Sequence, residues 1–414
     1  MPRPEGNERA TAGGVPKPMK SVLSIFAAAA LASLAAAGPA PAAQYGVLYV
    51  FASRINGDAP RGTLFRDNQG NLYGTTVYGG QWNGQTGCEC GDIFKLAPDG
   101  TETVLYTFQD GKDGGYPFSG VVRDTAGNLY GTTFGDQVDN FGSVYKLDSH
   151  GTLTTLHAFC SRPHCTDGEF PAGGVVRDAA GDLFGATGYG GANGYGAIFK
   201  YAANGTFTVL YSFRDGNDGG YPHADIIRNA KGDIFGTASQ GGIYGAGTVF
   251  KFAAGRFYIL HSFDGADGNY PEFGLREDAA GNLYGTTSAG GNTLCGGSGC
   301  GTVFRLAPNG TFTTLYAFKG QSDGTYPSGL VLDSSGNVYG GSQPSSQKYQ
   351  GTIFEITASG MFSILHSVTC LQDGCVPFDS LIKDNSGNLY GTMLESGTKS
   401  CEGFYCGTVF KVVP

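Results

Sequence analysis

The sequence predicts an all-β protein, a seven-bladed β-propeller of four-stranded antiparallel blades, and three observations carry that expectation. A five-residue marker returns seven times: GNLYG at Gly70–Gly74, Gly127–Gly131, Gly281–Gly285 and Gly387–Gly391, GDLFG from Gly181, GDIFG from Gly232 and GNVYG from Gly336, at intervals of 49 to 57 residues. Self-similarity at a period of this size marks a repeat architecture. Each unit holds four short stretches of β-branched and aromatic residues bounded by Gly, Pro, Asn or Asp, which are strand and turn signals. The two ends of the repeat region are complementary fragments of one unit.

The chain begins outside the repeats. Lys17-Pro18-Met19-Lys20 precedes an apolar, alanine-rich run from Val22 to Ala37 and then Gly-Pro-Ala-Pro-Ala-Ala. A basic start, a short hydrophobic centre and small residues at the exit make a secretory signal peptide, and the run is short for a membrane span. Residues 1–43 are read as that signal, with 1–18 an over-called start because Met19 begins a more ordinary one. Cleavage is expected near Ala42 or Ala43, leaving 44–414 as a single propeller domain, secreted or periplasmic. No second apolar run of membrane length follows, and the mature chain is expected to be a soluble monomer without an anchoring tail.

The unit is plainest between Pro222 and Phe263, with strand a at Ile226-Ile227, b at Ile234–Thr237, c at Thr248–Lys251 and d at Ile259–Phe263. Strands b and c set two large apolar residues side by side, as in Leu72-Tyr73, Val144-Tyr145 and Val303-Phe304. Neighbours on a strand face opposite ways, so both faces of each small sheet must be covered. A ring of blades packed face to face meets that need. Leu48-Tyr49-Val50-Phe51 is a d-type strand with no a, b or c before it, and Thr408-Val409-Phe410-Lys411 is a c-type strand with no d after it. Pairing of 47–51 with 407–412 completes a seventh blade. An open solenoid, the alternative, would carry polar capping repeats, and neither end has one.

The recurring GNLYGTT…GG…GTVFKL…G…LYSF…DG-x-YP unit resembles the GloVer-type tandem repeat of exported bacterial proteins, over essentially all of 45–414. The resemblance implies a secreted, propeller-like array of poorly defined role, often followed by a C-terminal anchoring tail that this sequence lacks. The P-x-x-[LIV]…D-x-x-G-N-L-Y layout is also similar, more loosely, to NHL and kelch propellers.

With 35 acidic against 26 basic residues and 15% charged overall, the chain has no basic stripe to track phosphates, which argues against nucleic acid as a partner. Ten cysteines fall into local pairs, Cys88/Cys90, Cys160/Cys165, Cys295/Cys300, Cys370/Cys375 and Cys401/Cys406. In an exported chain such pairing reads as disulfides. Each closes a very small loop worth about 2 kcal/mol at most, so they staple loops and leave the core to packing. No His or second Cys pair stands at zinc-finger spacing.

In a meander blade the a–b and c–d turns lie on one face of the ring and the b–c and d–a loops on the other. The first set is nearly constant in length. The b–c loops run to about eight residues in units 2, 3, 4 and 6 but to thirteen or fourteen in units 1, 5 and 7, each long one with a cysteine pair; the d–a loop holding Cys160 and Cys165 is extended too. Variable loops on a rigid scaffold are where binding usually resides. On that face Trp82, the single Trp, lies near Tyr78, and the two are candidates for stacking on a sugar ring.

In a repeat protein the informative residues are those that break the pattern. Just after the strand-a proline, at the expected mouth of the central channel, most units carry Gly, Ser, Ala or Phe; units 1, 4, 5 and 7 carry Arg61, His223 with Asp225, Glu272 and Asp379. These five are the channel-mouth binding candidates, for a polar ligand, an ion or a proton transfer. The alternative is a set of solvated mouth residues. Asp-Gly-x-Tyr-Pro recurs at Asp113, Asp218, Asp267 and Asp323, with variants at Asp167 and Asp373. Asp113, Asp218 and Asp267 are the carboxylates calcium would use, with Asp110 and Asp215 nearby, yet the spacing departs from D-x-[DN]-x-[DN]-G, and a turn repeated in nearly every unit serves architecture. No cofactor is expected. His157, His261 and His366 stand in the place of Tyr in LYxF and read as outer-strand packing residues; His164 sits in a stapled loop. No G-x-S-x-G, HExxH, P-loop or Asp-box motif is present. The function expected is a binding or interaction module, toward a carbohydrate or protein, through the long-loop face. A carbohydrate-active or lactonase-like enzyme at the channel mouth and a structural envelope protein are the alternatives, since propellers host all of these.

Overall fold

The computed structural model describes residues 43–52, 57–80, 89–109, 113–136, 140–345, 351–370, 373–395 and 406–414. Contacts divide the chain into Met1–Pro41 and Ala42–Pro414. The second unit is a seven-bladed propeller of four-stranded antiparallel sheets. Blade 1 runs Asp58–Arg66, Leu72–Tyr78, Asp92–Leu96 and Glu102–Thr107; blade 5 runs Arg276–Glu277, Leu283–Thr287, Thr302–Leu306 and Phe312–Ala317, and blades 2, 3, 4 and 6 follow the same order. Blade 7 takes its first three strands, Ile382–Lys383, Leu389–Met393 and Thr408–Val413, from the end of the chain and its outer strand, Gln44–Val50, from the start.

The marker owes its composition to two needs. In blade 5 the Asp278 carboxylate accepts hydrogen bonds from the Ala280 and Asn282 amides at 2.9 Å each, from the Asn282 side chain at 2.7 Å and from the Tyr284 hydroxyl at 3.1 Å, while Gly281 turns the chain at φ 82°. That is an Asp-initiated turn closed by a left-handed glycine. The marker's last glycine answers a different demand. Gly285 pairs with Phe304 across the b–c ladder, and a Cβ there would fall 2.6 Å from the Phe304 ring. The ring of strand c lies where that side chain would be, and Gly74 and Phe94 repeat the arrangement in blade 1.

The core sits between blades. Phe235 of blade 4 packs against Leu275, Leu283, Phe304 and Leu306 of blade 5, and the same contact joins blades 7 and 1 through Tyr390, Val409, Phe51, Leu64 and Phe94. Closure follows the expected pairing with a shift: the outer strand starts at Gln44, opposite Val413, and sets Val47 opposite Phe410. Phe51 leaves the ladder, its amide bonded to the Gly407 carbonyl at 3.2 Å and its ring edge-on to Phe94 at 5.0 Å. The innermost strand is shorter than the sequence indicates, two residues in blades 2, 3, 4, 5 and 7, and in blade 4 its paired residues are Ile227–Arg228 where Ile226-Ile227 is expected. Strand a borders the channel, has a partner on one side only, and gives up its first residues to line the bore. The one helical element among the described residues is the single 3-10 turn Pro163–Cys165. No helix there is long and apolar enough to cross a membrane.

Disulfides Cys160–Cys165, Cys295–Cys300 and Cys370–Cys375 are formed as expected. Cys90 and Cys406 are also disulfide-bonded, whereas Cys88 and Cys401 lie outside the described residues, as do Trp82 and Asp110.

Candidate functional site

Each inner strand enters the channel through a proline followed by three residues. In blades 1, 4, 5 and 7 those segments bring Arg61, His223, Asp225, Glu272 and Asp379 to the lining of one cavity of about 30 Å³, whose remaining walls include Phe118, Ser119, Phe273 and Phe378. A space of that size holds about one water molecule. It forms the floor of the mouth.

The charges there are mutually arranged. The Arg61 guanidinium lies between two aromatic faces, 4.5 Å from Phe118 and 4.1 Å from Phe378. Burial lowers its pKa, opposed by Asp379, Tyr78 and Glu272. Asp379 accepts a hydrogen bond from the Gly62 amide of the neighbouring blade at 2.6 Å, and Asp225 accepts one from the Gly174 amide, also at 2.6 Å. Burial and then the Asp225 charge push the Asp379 carboxyl up to about 6, while Arg61 and the Gly62 amide act the other way. Burial, helped by Arg61, takes His223 down to about 4, so its imidazole is neutral at pH 7. Glu272 is exposed at the rim, its Oε2 accepting from the Ser288 hydroxyl at 2.7 Å.

One member of this layer is absent from the sequence reading. Arg276 stands in a column that the other blades fill with Phe65, Val122, Val176, Ile227, Val331 and Ile382. Burial lowers its pKa and the charges of Asp225 and Asp379 oppose that effect. Below it the channel widens to a cavity of about 230 Å³ lined by Leu64, Val121, Val175 and Ile226. Two cations and two carboxylates therefore cross the bore between an apolar shaft and a polar mouth. The signal for Arg276 was the same kind of pattern break that singled out Asp225, two positions further along the strand.

Around the mouth, aromatic rings follow one another from blade to blade. Tyr78 meets Tyr116 edge-on at 5.9 Å; Phe118 stacks on Phe134 at 4.5 Å, Phe134 meets Phe170 at 5.2 Å, and Tyr189 meets Tyr221 at 5.2 Å and His223 at 5.5 Å. The residue before the strand-a proline is left-handed in six blades: Ala59, Tyr116, Phe170, Tyr221, Tyr270 and Tyr326, with φ between 45° and 58°. Bulky residues are rarely found there. The cause is a tie between blades: the Tyr270 amide donates to the Ala246 carbonyl of blade 4 at 3.1 Å, and the Tyr270 carbonyl accepts from the Ser288 amide of its own blade at 3.0 Å.

The repeated aspartates have their own work. Asp113 Oδ2 accepts from the Tyr106 hydroxyl and the Gln109 amide at 2.9 Å each, Asp218 Oδ2 from the Tyr211 hydroxyl at 2.6 Å, and Asp267 Oδ2 meets His261 Nε2 at 2.7 Å. His157 and His366 bind Asp167 and Asp373 in the same way, at 3.1 and 2.9 Å. These histidines do more than pack: each ties strand d to the d–a turn, as Tyr106, Tyr211 and Tyr316 do in blades 1, 3 and 5. The three calcium candidates belong to three different blades. Among the described residues one grouping has metal-ligand proximity, Cys160, Cys165 and Glu169, and its sulfurs are joined in a disulfide.

Fold and channel define a closed seven-bladed propeller whose pattern-breaking side chains meet at one mouth. A family model for the Gloeobacter/Verrucomicrobia repeat matches residues 37–164, 85–298 and 277–414. The chain belongs to that family. No curated protein matches it in sequence. Among solved structures it is similar to the extracellular domain of a one-component system from B. thetaiotaomicron (12% identity, TM-score 0.52, 88% of this chain and 39% of that one). It is similar as well to PorZ, a surface component of the type-IX secretion system of Porphyromonas gingivalis (13% identity, TM-score 0.52, 86% and 46%). The chain thus spans less than half of either protein. A gluconolactonase from Xanthomonas campestris matches at 12% identity and a TM-score of 0.43, over 72% of this chain and 86% of that one.

Proposed function

We propose that this is an exported propeller that binds a ligand on the face bearing the b–c and d–a loops, at the channel mouth. The observation that carries the reading is the convergence of Arg61, His223, Asp225, Glu272 and Asp379 from four blades on one cavity of that face. Export is supported by the signal-like residues 1–43 and by the disulfides, which form and persist in oxidising compartments. Binding is favoured over catalysis because the buried charges of the floor are already paired with one another or with backbone amides, which suits a rigid base for a site. Glu272 and neutral His223 are the polar groups available to a ligand, and Tyr78 lies near enough to Arg61 to act on its charge.

The test is a thermal-shift screen of residues 44–414 against neutral oligosaccharides, aldonolactones, short peptides and calcium chloride, followed by hydrogen exchange with any stabilising compound. Protection of the b–c and d–a loops, lost in Glu272→Ala and His223→Ala, supports the proposal; protection confined to the a–b and c–d turns overturns it. N-terminal sequencing of the exported protein should give a first residue at or near Gln44.

A further inference from the structure

The rings around the mouth fall into two halves. In blades 2, 3 and 4 the left-handed aromatic residue before the proline packs edge-on or tilted against other rings of the protein: Tyr116 against Tyr78, Phe170 against Phe134 and Phe141, Tyr221 against Tyr189 and Tyr195. In blades 5 and 6 the equivalent residues, Tyr270 and Tyr326, contact no other ring among the described residues and stand 42% and 48% exposed. Tyr244, on the blade 4 b–c loop that accepts the Tyr270 amide, is 66% exposed.

The backbone does not require these rings. Blade 1 makes the same left-handed turn with Ala59 at φ 53°. A tyrosine at φ 55° or 45° carries a steric cost that glycine would avoid, and here no stacking within the chain repays it. Both positions are nonetheless rigidly held. The Ser288 amide fixes the Tyr270 carbonyl and the Ser288 hydroxyl fixes Glu272 two residues on, so ring and carboxylate are set by one residue. The Tyr326 amide is bonded at 3.0 Å to the carbonyl of Cys300, within the Cys295–Cys300 staple of the blade 5 loop.

We infer that Tyr270, Tyr326 and Glu272 form a binding site for a neutral glycan. Separate, flat, amphipathic rings are platforms for the C–H faces of successive pyranose rings, and a fixed carboxylate beside them accepts hydrogen bonds from sugar hydroxyls. Charge excludes the related ligands: a rim carboxylate on a chain of net charge −9 repels uronates, sulfated sugars and nucleic acid. A protein partner would want a contiguous apolar centre, whereas the exposed apolar side chains of the adjoining loops, Ile243, Tyr244 and Leu294, are single residues set between glycines and polar residues in the chain. The inference rests on the loop-face reading above and gives that face its ligand class.

The experiment is affinity electrophoresis of residues 44–414 in native gels containing a soluble β-1,3-glucan, a xyloglucan or a galactomannan. The expected result is retardation by at least one of them, weakened about tenfold or more in Tyr270→Ala and in Tyr326→Ala, retained in Tyr270→Phe, and unchanged in Tyr258→Ala on an outer strand. Both alanine variants copy the residue blade 1 already carries, and circular dichroism verifies that they fold. Retardation by none of the three, or retardation indifferent to both alanine substitutions, overturns the glycan site. The loop-face proposal survives that failure if the hydrogen-exchange screen finds a peptide or lactone protecting the same loops, and falls only if protection moves to the opposite face.

Discussion

Replacing Asp92 with threonine should stabilise the protein, and the gain should grow with pH. Asp92 stands on strand c of blade 1 where the other blades carry Ser143, Ala197, Thr248, Thr302, Thr352 and Thr408. In blades 2, 5 and 6 that hydroxyl meets one on strand b: Thr133 with Ser143 at 2.9 Å, Thr287 with Thr302 and Ser342 with Thr352 at 2.8 Å. Blade 1 keeps the strand b partner, Thr76, but opposes it with a carboxylate that is wholly buried and whose two oxygens meet no donor in hydrogen-bond geometry among the described residues. Burial pushes its pKa from 3.8 to about 7, Thr107 alongside easing the ionised form and the charge of Glu102 adding to the rise. The folded-state pKa is raised, so the folded protein holds a proton that the unfolded chain has released, and stability falls as pH rises from about 4 through 7. At about 1.4 kcal/mol per pKa unit the cost approaches about 4 kcal/mol at pH 8 and is below about 2 kcal/mol at pH 5. Asp92→Thr removes that cost and restores the hydroxyl pair. Urea unfolding followed by far-UV circular dichroism at pH 5 and pH 8 measures it. A gain equal at the two pH values, or no gain at pH 8, would refute the reasoning.

Three further outcomes follow from the channel. His223 has a depressed folded-state pKa, so it favours the folded state above pH 6.5 and that contribution is lost as pH falls toward 4; between pH 7 and 5 the stability difference between wild type and His223→Asn should narrow by about 2 kcal/mol, measured by denaturant midpoints. Arg276→Val, the residue its column carries in three other blades, strips a cation from the half-buried Asp225 and Asp379 carboxylates and should cost about 3 kcal/mol or more; adding Asp225→Gly, which copies Gly120, Gly174 and Gly274, should recover most of the loss in the same assay. Gly62→Ala should prevent folding or cost several kcal/mol, read from soluble yield and melting temperature, because its methyl would fall 2.0 Å from the Gly120 backbone nitrogen while φ is 95°.

Much of the ring was legible because its determinants are local and repeated. The Asp-x-x-Gly-Asn-Leu-Tyr-Gly turn, the paired apolar residues of strands b and c and the complementary chain ends each state a constraint within a few residues. Arg61, His223, Asp225, Glu272 and Asp379 were found as departures from that pattern. Arg276 escaped notice because its column lies past the segment compared, among residues whose shared property is apolarity. The role of the Asp-Gly-x-Tyr-Pro aspartates was hidden for another reason: their partners, Tyr106, Tyr211 and His261, lie on the preceding strand, and a hydrogen bond between two repeated residues leaves no irregularity to find. The division of the aromatic rings into packed and open halves depends on contacts between blades, which no single unit encodes.

The pairing of Val47 with Phe410 joins residues 363 apart in sequence. A blade assembled from the two ends is the last that synthesis makes available, and its loop-closure entropy must be met before any of its contacts form. Until then Tyr45, Tyr49 and Phe51 at the N-terminal end, and the inter-blade face of blade 1 around Leu64 and Phe94, lack their cover. This sets an order of events: closure waits for the final strand to arrive, and under the export proposed above the polypeptide would cross with its ring open. The unsealed intermediate, with an exposed sheet edge beside unburied phenylalanine, is the species that aggregation, proteases and chaperones would meet first.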